Sequence, residues 1–303
     1  MKKIFNVLIR ISAMNKQIKV LVTGSNGQVG SELNALSHQY PALVFKFTDR
    51  SNMSITDPEA VESCFRDFEP DYCINCAAYT AVDKAEEAAA AVIATQINAD
   101  AVELLARTCT AHNTKLVHIS TDYVFDGTAH QPYRPDAATN PVSVYGATKL
   151  KGEQLAAAHT DAVIIRTAWV YSSFGKNFVK TMLRLMSERP AINVVSDQQG
   201  SPTYARDLAA AILDLVSKGK WVAGIYHYTN EGTTTWYDFA VAIKKLASSS
   251  CEVHPIPTSA FPTPAKRPSY SVLDKSSFKD TFHLNIPYWE SSLKKCIEMM
   301  EVA

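Results

Sequence analysis

The sequence predicts an α/β protein built on a doubly wound parallel sheet, with a smaller mixed C-terminal domain. Apolar, β-prone runs alternate with amphipathic helical patterns through the first half of the chain, and the apolar runs are nearly continuous. The alternation then loosens after about residue 172. Strands buried on both faces show continuous apolar character, and strand–helix alternation places them in a parallel sheet covered by helices on both sides.

The first elements are bounded by clear signals. IKVLVTG predicts a strand, and QVGSELNALSH after it predicts a helix with one apolar face. LVFKFTD predicts a second strand that ends at Asp49. In DPEAVESCFRDF, Asp57 is the expected N-cap and Pro58 occupies the first helical position.

The later elements continue the alternation. The predicted segments are a strand in DYCINCAA, a helix in INADAVELLARTCTAH, a strand in TKLVHIS, a long helix in PVSVYGATKLKGEQLAAAH and a strand in DAVIIRTAWVY. The Pro-rich segment from His254 to Ser269 predicts a loop or lid, because helical patterns lie on both sides of it.

Composition narrows the classes of protein. The chain has 303 residues, 47% of them hydrophobic and 20% charged, with a formal net charge of zero. This balance argues against broad nucleic-acid or membrane-surface binding. We find no run of 18 apolar residues and predict no transmembrane helix. The six cysteines are scattered and predict reduced thiols in a cytoplasmic protein.

A basic and apolar segment precedes the first strand. Arg10 interrupts the apolar run, which argues against a signal peptide. We predict a loose N-terminal extension at 1–17, with Met14 as a candidate start of the native protein.

Three glycines stand between the first predicted strand and the first predicted helix. Gly24 allows a tight turn, Gly27 lets the backbone approach a pyrophosphate, and Gly30 lets the helix pack closely on the strand. The free N–H groups and positive dipole at the helix N-terminus suit phosphates. This strand–turn–helix setting predicts dinucleotide binding and a Rossmann-type fold.

The end of the second strand leaves the cofactor open. Asp49 could accept a hydrogen bond from a ribose hydroxyl, as in NADH, whereas Arg50 could meet the 2′-phosphate of NADPH. We predict a Rossmann domain at 18–172 and a mainly substrate-binding domain at 173–303, parts of which return to the first domain.

Candidate catalytic residues follow the fourth strand. Tyr145 and Lys149 in YGATK are one helical turn apart and share a face. Thr121 in STDYVFDG lies at the carboxyl end of a strand, where parallel sheets bind ligands. Reduction of a ketone by hydride builds an alkoxide that needs a proton. A phenol can supply this proton if a lysine lowers its pKa, while the threonine orients the carbonyl.

These motifs together resemble the extended short-chain dehydrogenases/reductases, and within them enzymes that act on nucleotide-linked sugars. The resemblance covers about residues 18–300 and includes NCAAYTAVDKAE, STDYVFDG, YGATK, RTAWVY, DQQGSPT and FPTPAKRPSYSVLD. It implies NADPH- or NADH-dependent reduction of the C4 ketone of dTDP-4-dehydro-L-rhamnose to dTDP-L-rhamnose.

The resemblance also implies roles for individual residues. For the cofactor these are Gln28, Val29 and Gly30 at the pyrophosphate, and Ala77, Ala78 and Tyr79 along the cleft. For the sugar they are Thr121, Asp122 and Trp169, with Tyr145 as the acid and Lys149 as its partner. Asn98 would brace the site, and Asn177 and Arg267 would bind polar groups of the substrate.

One departure concerns a metal. Some relatives have an acidic ligand for a divalent metal where this chain has Arg206, although Glu32 matches another ligand. We therefore predict no metal, and a monomer or weak homodimer.

Two other functions stay open: another nucleotide-sugar reductase or epimerase of the same fold, and a non-catalytic nucleotide-binding regulatory subunit. An epimerase would turn over without added reductant. The intact set of Thr121, Tyr145 and Lys149 argues against a regulator.

Overall fold

A six-stranded parallel sheet forms the centre of the computed structural model, which describes residues 17–302. The predicted N-terminal extension lies outside the described residues except for Gln17. The strands within residues 17–302 are β1 (Ile18–Thr23), β2 (Leu43–Phe47), β3 (Tyr72–Asn75), β4 (Lys115–Thr121), β5 (Val163–Thr167), β6 (Val170–Tyr171), β7 (Ala191–Val195), β8 (Gln199–Gly200), β9 (Thr203–Tyr204), β10 (Gly224–His227), β11 (Thr234–Thr235) and β12 (Glu252–Ile256).

The α-helices are α1 (Gln28–Leu36), α2 (Pro58–Phe68), α3 (Ala88–Thr95), α4 (Ala101–Ala111), α5 (Val144–His159), α6 (Phe178–Glu188), α7 (Ala205–Lys218), α8 (Trp236–Leu246), α9 (Ser276–Phe282) and α10 (Trp289–Val302). Helix α2 begins as predicted, because the Asp57 carboxylate accepts from the amides of Glu59 and Ala60 and Pro58 follows it.

The central sheet has the strand order β2-β1-β3-β4-β5-β10, and every neighbouring pair is parallel. From β1 the chain first adds β2 on one side and then β3 on the other. The gap between β1 and β3 is therefore the switch point, where such sheets bind ligands. Along β1, Val20 and Val22 pack on one face with α1, α7 and α9, whereas Leu21 packs on the other with α2 and α4. Both faces are therefore covered, and the predicted Rossmann-type fold is confirmed.

A second layer is built from the later half of the chain. Its strands form three short pairs, β6 with β9, β7 with β12 and β8 with β11. Helices α6, α8 and α10 share a separate apolar core there, which includes Phe239 and Leu293. Helix α7 and strand β10 come from the same half but pack on the main sheet. The division of the chain into domains at 172 stays a prediction.

The predicted fifth strand is broken. β5 ends at Thr167 and β6 begins at Val170, because Trp169 between them has a positive φ of 50°. A bulky residue in this region of backbone space is strained, and the strain turns the chain away from the sheet.

The predicted helix at 97–112 begins earlier than expected. Helix α3, a π-helical turn at Gln96–Asp100 and helix α4 form one continuous run. By length and composition alone this run, Ala88–Ala111, could cross a membrane, contrary to the prediction from apolar run length. Core helices of soluble proteins meet the same criterion, and Val102 and Leu105 of this run are buried against the sheet.

Candidate active site

The glycine turn has the geometry that the sequence predicts. Gly24 has a φ of +66°, and a Cβ there would lie 2.6 Å from the Ala77 nitrogen. A Cβ on Gly30 would overlap the Gly24 carbonyl and lie 2.6 Å from the Ser25 Cα. Gly27 precedes α1 as its N-cap, and a Cβ there would meet only the Gly24 oxygen, at 3.2 Å. Two glycines are thus required by packing, and the third leaves space above the helix N-terminus.

Two adjoining cavities meet over this turn. One, of about 780 Å³, runs past Asp49 and Arg50 towards Ile97. The other, of about 490 Å³, runs from the turn to the carboxyl end of β4. Both are lined by Asn26, Gly27, Cys76 and Ala78. The two cavities together cross the switch point, where a dinucleotide would bind with its phosphates over α1.

Gln28 gives an independent sign of a missing ligand. Its Nε2 donates to the Val170 carbonyl at 3.3 Å, while its buried Oε1 meets no hydrogen-bond partner among residues 17–302. A buried polar atom without a partner is costly, and this one belongs to a residue that lines the second cavity. Val29 lines the same cavity, as do Ala78 and the residues of the predicted catalytic set.

The carboxylate of Asp49 is already engaged. It accepts hydrogen bonds from the Ser51 amide at 2.7 Å, from the Ser51 hydroxyl at 2.6 Å and from the Asn26 side chain. The hydroxyl of Ser51 is the largest cause that holds the pKa of Asp49 below its usual value. Arg50 is exposed and lines the first cavity. The end of β2 therefore presents the exposed guanidinium of Arg50 beside the Asp49 carboxylate, which already accepts hydrogen bonds from Ser51 and Asn26.

Thr121, Tyr145 and Lys149 line one cavity, as predicted. Thr121 ends β4, whereas helix α5 carries the other two and is capped by Ser143, whose hydroxyl accepts from the Gly146 amide. A side chain at Gly146 would collide with the Tyr123 carbonyl, so this glycine brings α5 close to the strand end.

The expected lowering of the Tyr145 pKa is wrong for the protein without ligands. Burial raises the pKa of Tyr145 to about 12, and the Thr121 hydroxyl opposes this shift only in part. Lys149 is itself buried, which lowers its pKa to about 8, and its amine donates to the Ile119 carbonyl at 2.6 Å. The Lys149 amine is therefore held by the backbone of β4.

Asp122 is a buried carboxyl next to Thr121. Its Oδ1 accepts from the Thr121 hydroxyl at 3.0 Å, while the geometry gives its buried Oδ2 no hydrogen bond within the described residues, although the Ser271 hydroxyl is near enough to lower the pKa of this carboxyl. Burial raises the pKa of Asp122 to about 6. Because Asp122 lines the cavity, this oxygen can accept a hydrogen bond from a hydroxyl group of a bound sugar.

Asn98 braces the site through its side chain. Its Oδ1 accepts from the Tyr79 amide at 2.8 Å, and its Nδ2 donates to the Tyr79 carbonyl and to Thr148, each at 3.1 Å. The π-helical turn places the Asn98 carbonyl against Gly152 of α5, where a side chain would collide with it. The predicted cofactor residue Tyr79 is thus tied to the catalytic helix.

Trp169 covers the catalytic end of the cleft. It lines the cavity, and its ring stacks on Trp236 with centroids 3.6 Å apart. A Cβ on Gly200 would lie 2.6 Å from the Trp169 ring, so the indole lies flat against the backbone of β8. The strained backbone and the two-sided packing fix one orientation of the indole.

Asn177 and Arg267 have other partners here. The Asn177 side chain caps α6 by accepting from the Lys180 amide at 3.1 Å and donates to the Ser172 carbonyl at 2.7 Å, so its amide is occupied by backbone. Arg267 forms a two-pronged ion pair with Asp83, at 2.9 and 2.8 Å, and Asp83 follows Val82, which lines the cavity. Their roles in binding substrate stay predictions.

Glu32, the residue that matches a metal ligand, is fully buried and paired within the chain. Its carboxylate accepts from the Ser172 hydroxyl at 2.7 Å and from Arg206 at 3.1 Å. Burial raises the pKa of Glu32, and both partners oppose this shift. A guanidinium thus supplies the positive charge beside this carboxylate.

Several supporting residues were missed by the sequence analysis. Asp83 stands in the quoted NCAAYTAVDKAE, and Trp236 in TTTWYDFA, where nothing in the spacing ties either one to its distant partner. His118 of TKLVHIS is a buried polar residue in an apolar strand, which is the signal that could have found it.

A doubly wound sheet, a glycine turn and a Thr–Tyr–Lys set at the end of β4 define a nucleotide-binding enzyme of the short-chain dehydrogenase/reductase class. Within that class, residues 18–302 match the family model of the RmlD substrate binding domain. The chain belongs to this family.

Curated relatives and solved structures agree with this assignment. The dTDP-4-dehydrorhamnose reductase of Burkholderia thailandensis is 42% identical over 299 residues, which is 92% of this chain and 98% of that protein. The crystal structure of a dTDP-4-dehydrorhamnose reductase from Clostridium acetobutylicum superimposes with a TM-score of 0.89 at 40% identity, over 94% of this chain and all of that one. The Bacillus anthracis enzyme, solved in complex with NADP, has the same TM-score and coverage at 36% identity.

Proposed function

We propose that this protein is an NAD(P)H-dependent dTDP-4-dehydrorhamnose reductase, which reduces the C4 ketone of dTDP-4-dehydro-L-rhamnose to give dTDP-L-rhamnose. The observation that carries the proposal is the meeting of Thr121, Tyr145 and Lys149 in a cavity that opens onto the glycine turn. The naming of relatives at about 40% identity over nearly the whole chain supports the substrate.

The cleft fits the cofactor. NADPH or NADH would supply the hydride, with its pyrophosphate over Gly27 and the N-terminus of α1, where Gln28 has an unpaired oxygen. Ala78 and Cys76 line the narrow passage between the two cavities. The Lys149 amine, which lines the second cavity, would bind the ribose next to the reacting ring.

Side chains of this protein manage the proton. The Thr121 hydroxyl turns from Asp122 to the substrate carbonyl oxygen and orients it. Tyr145 donates its proton to that oxygen as the C–H bond forms at C4, and the Lys149 ammonium stabilises the phenolate that is left. A phenol with a raised pKa holds its proton through the working pH range, which suits a donor.

Binding of the sugar nucleotide uses the other wall of the cleft. Asp122 accepts a sugar hydroxyl, and Trp169 covers the apolar face of the ring. Arg267 turns from Asp83 to the diphosphate, for which its forked geometry is suited, while Asn177 fixes the loop beside the cavity. We also infer a cytoplasmic monomer or weak homodimer that binds neither nucleic acid nor membrane, in keeping with its zero net charge.

The test is NAD(P)H oxidation with enzymatically made dTDP-4-dehydrorhamnose, with identification of the product. We expect one equivalent of NAD(P)H to be consumed for each dTDP-L-rhamnose formed. Turnover without consumption of reductant would identify an epimerase. Binding of NADPH without turnover of any nucleotide-linked ketosugar would identify a regulatory subunit.

A further inference from the structure

A row of buried polar side chains crosses the central sheet in register. Thr23 of β1 is paired with Asn75 of β3, and Asn75 with His118 of β4. The Thr23 hydroxyl donates to Asn75 Oδ1 at 2.7 Å, and Asn75 Nδ2 donates to His118 Nδ1 at 3.1 Å. The other ring nitrogen, His118 Nε2, lies 3.4 Å from the Nζ of Lys149. The row therefore ends on a catalytic residue.

The orientation of the Asn75 amide is fixed by its surroundings. Its Oδ1 also accepts from the Ala77 amide at 3.1 Å, so two donors hold the oxygen and the NH₂ group must face His118. An imidazole nitrogen that accepts from an NH₂ group carries no proton, so a neutral His118 carries its proton on Nε2. Burial, and next the charge of Lys149, hold the pKa of His118 well below its ordinary value.

The ring thus presents an N–H group to the Lys149 amine. An ammonium has donors only and cannot use this contact, whereas a neutral amine can accept from it. The other groups that face Lys149 are Glu153 on its own helix and the Cys76 thiol, both of which raise its pKa, and the Ile119 carbonyl. The contact with His118 acts in the same direction as burial and against Glu153 and Cys76.

We propose that His118 is a positioning residue of this enzyme, because it transmits the fixed orientation of the Asn75 amide through the sheet to the Lys149 amine. Its part in catalysis rests on the function proposed above. Tyr145 gives its hydroxyl proton to the product oxygen, the Lys149 ammonium then gives a proton to the phenolate, and solvent returns one to the amine. Such a relay is efficient when the lysine is populated in both forms near the working pH.

His118→Gln tests the proposal directly. The amide carbonyl of glutamine has two lone pairs and can accept from Asn75 and from the Lys149 ammonium together, which the ring cannot do. A hydrogen bond to the charged form favours it, so we expect the Lys149 titration midpoint to rise by about one pH unit. The measurement is the pH dependence of the ε-carbon signal in ¹³C-lysine NMR of the full-length chain without ligands, with Lys149→Met to assign the signal.

Asn75→Asp is an isosteric second variant. The carboxylate keeps the bonds from Thr23 and Ala77 but needs a proton from His118 Nδ1, which leaves Nε2 free to accept from Lys149. The midpoint should again rise. His227→Gln is the matched control, because His227 is equally buried and belongs to β10, the edge strand of the same sheet. It should leave the midpoint unchanged.

The kinetic readout separates this inference from the proposed function. In the reductive direction the alkaline limb of the kcat profile should follow Lys149, since the protonated amine is the active form. We expect it to move upward in His118→Gln, with the KM for sugar nucleotide within about twofold, as a role in proton transfer requires. A Lys149 midpoint that is unmoved in both variants, or that moves equally in His227→Gln, overturns the inference. A wild-type protein that reduces no ketosugar overturns the proposed function, and the NMR titration still reports on His118.

Discussion

The floor and the roof of the active-site cleft are held in different ways. The floor consists of β4 and α5, and the residues that support it are buried neighbours: Arg166 and Glu153 are 3% and 1% exposed and only 2.7 Å apart. The roof consists of Trp169, its stacking partner Trp236 and the Arg267–Asp83 ion pair. This ion pair joins residues 184 positions apart, and its side chains are 27% and 41% exposed. The charges that hold the floor are therefore buried, whereas solvent reaches both partners of the Arg267–Asp83 pair.

The buried pair of the floor also connects several elements. Glu153 accepts from the Ser120 hydroxyl as well as from Arg166, whose guanidinium donates to the Pro135 carbonyl and lies over the Phe125 ring at 5.1 Å. Ser120 precedes Thr121, which is proposed to orient the substrate carbonyl. Each charge of the floor thus has several partners within the buried core, while the half-buried Arg267–Asp83 pair is supplemented only by longer hydrogen bonds, of 3.3 Å, to the backbone of Ala265.

The largest effect is expected from the floor itself. Tyr145→Phe removes the proton donor and keeps the ring, so kcat should fall roughly 10²- to 10⁴-fold with NADPH affinity unchanged. Steady-state kinetics and cofactor titration measure the two quantities. Tyr123→Phe is the matched control, because the Tyr123 ring lies edge-on to Tyr145 in the same cavity. A larger loss of kcat in Tyr123→Phe would show that Tyr123, and not Tyr145, is the proton donor.

The buried pair of the floor should dominate stability. Glu153→Gln leaves the Arg166 charge buried without its partner and should cost about 3–5 kcal/mol in the free energy of unfolding. Urea denaturation measures this cost. Glu188→Gln breaks the exposed Arg184–Glu188 pair, which has the same 2.7 Å separation, and should cost at most about 0.5 kcal/mol. Equal costs would remove the distinction between a fixed floor and an exposed surface pair.

The roof should control substrate binding. If Arg267 binds the diphosphate, Arg267→Ala should raise the KM of the sugar nucleotide by about 1.5–3 kcal/mol, or roughly 10- to 150-fold, and leave the KM of NADPH alone. Asp83→Asn separates binding from closure, because it frees the guanidinium. In this variant the sugar KM should stay equal or fall. A rise as large as that in Arg267→Ala would show that the ion pair only closes the cleft.

The smallest effect is expected at the outer edge. Arg50 is exposed, so Arg50→Ala should weaken the binding of NADPH by only about twofold to fivefold and leave the affinity for NADH unchanged. Fluorescence titration with both cofactors measures the ratio. An equal loss for NADH would mean that Arg50 does not meet the 2′-phosphate.

Sequence patterns predicted the features with local determinants well, in the floor and elsewhere in the fold. The spacing of Tyr145 and Lys149, the cap at Asp57 and the glycine turn each act over a few residues, and the family, the fold and the NAD(P)H-dependent reductase activity are confirmed. The break at Trp169 was missed, since an apolar run does not reveal a positive φ that packing imposes.

The partners in the roof could not be predicted for a different reason. Asp83 meets Arg267, and Trp236 meets Trp169, only once the chain has folded, and no periodicity links such distant positions. The prediction of a lowered pKa for Tyr145 was wrong because a sequence pattern reveals nearby charges but not burial. Burial is the larger cause here, and it raises the pKa of Tyr145.

The stacked indoles of Trp169 and Trp236 give the roof a spectroscopic signal of its own. At 3.6 Å between ring centroids their electronic transitions couple, and coupled chromophores give a paired positive and negative band in circular dichroism. The other two tryptophans of the chain, Trp221 and Trp289, lie against tyrosine or phenylalanine rings. The protein therefore carries an internal optical reporter, and a sugar that shifts Trp169 would be detected without any label.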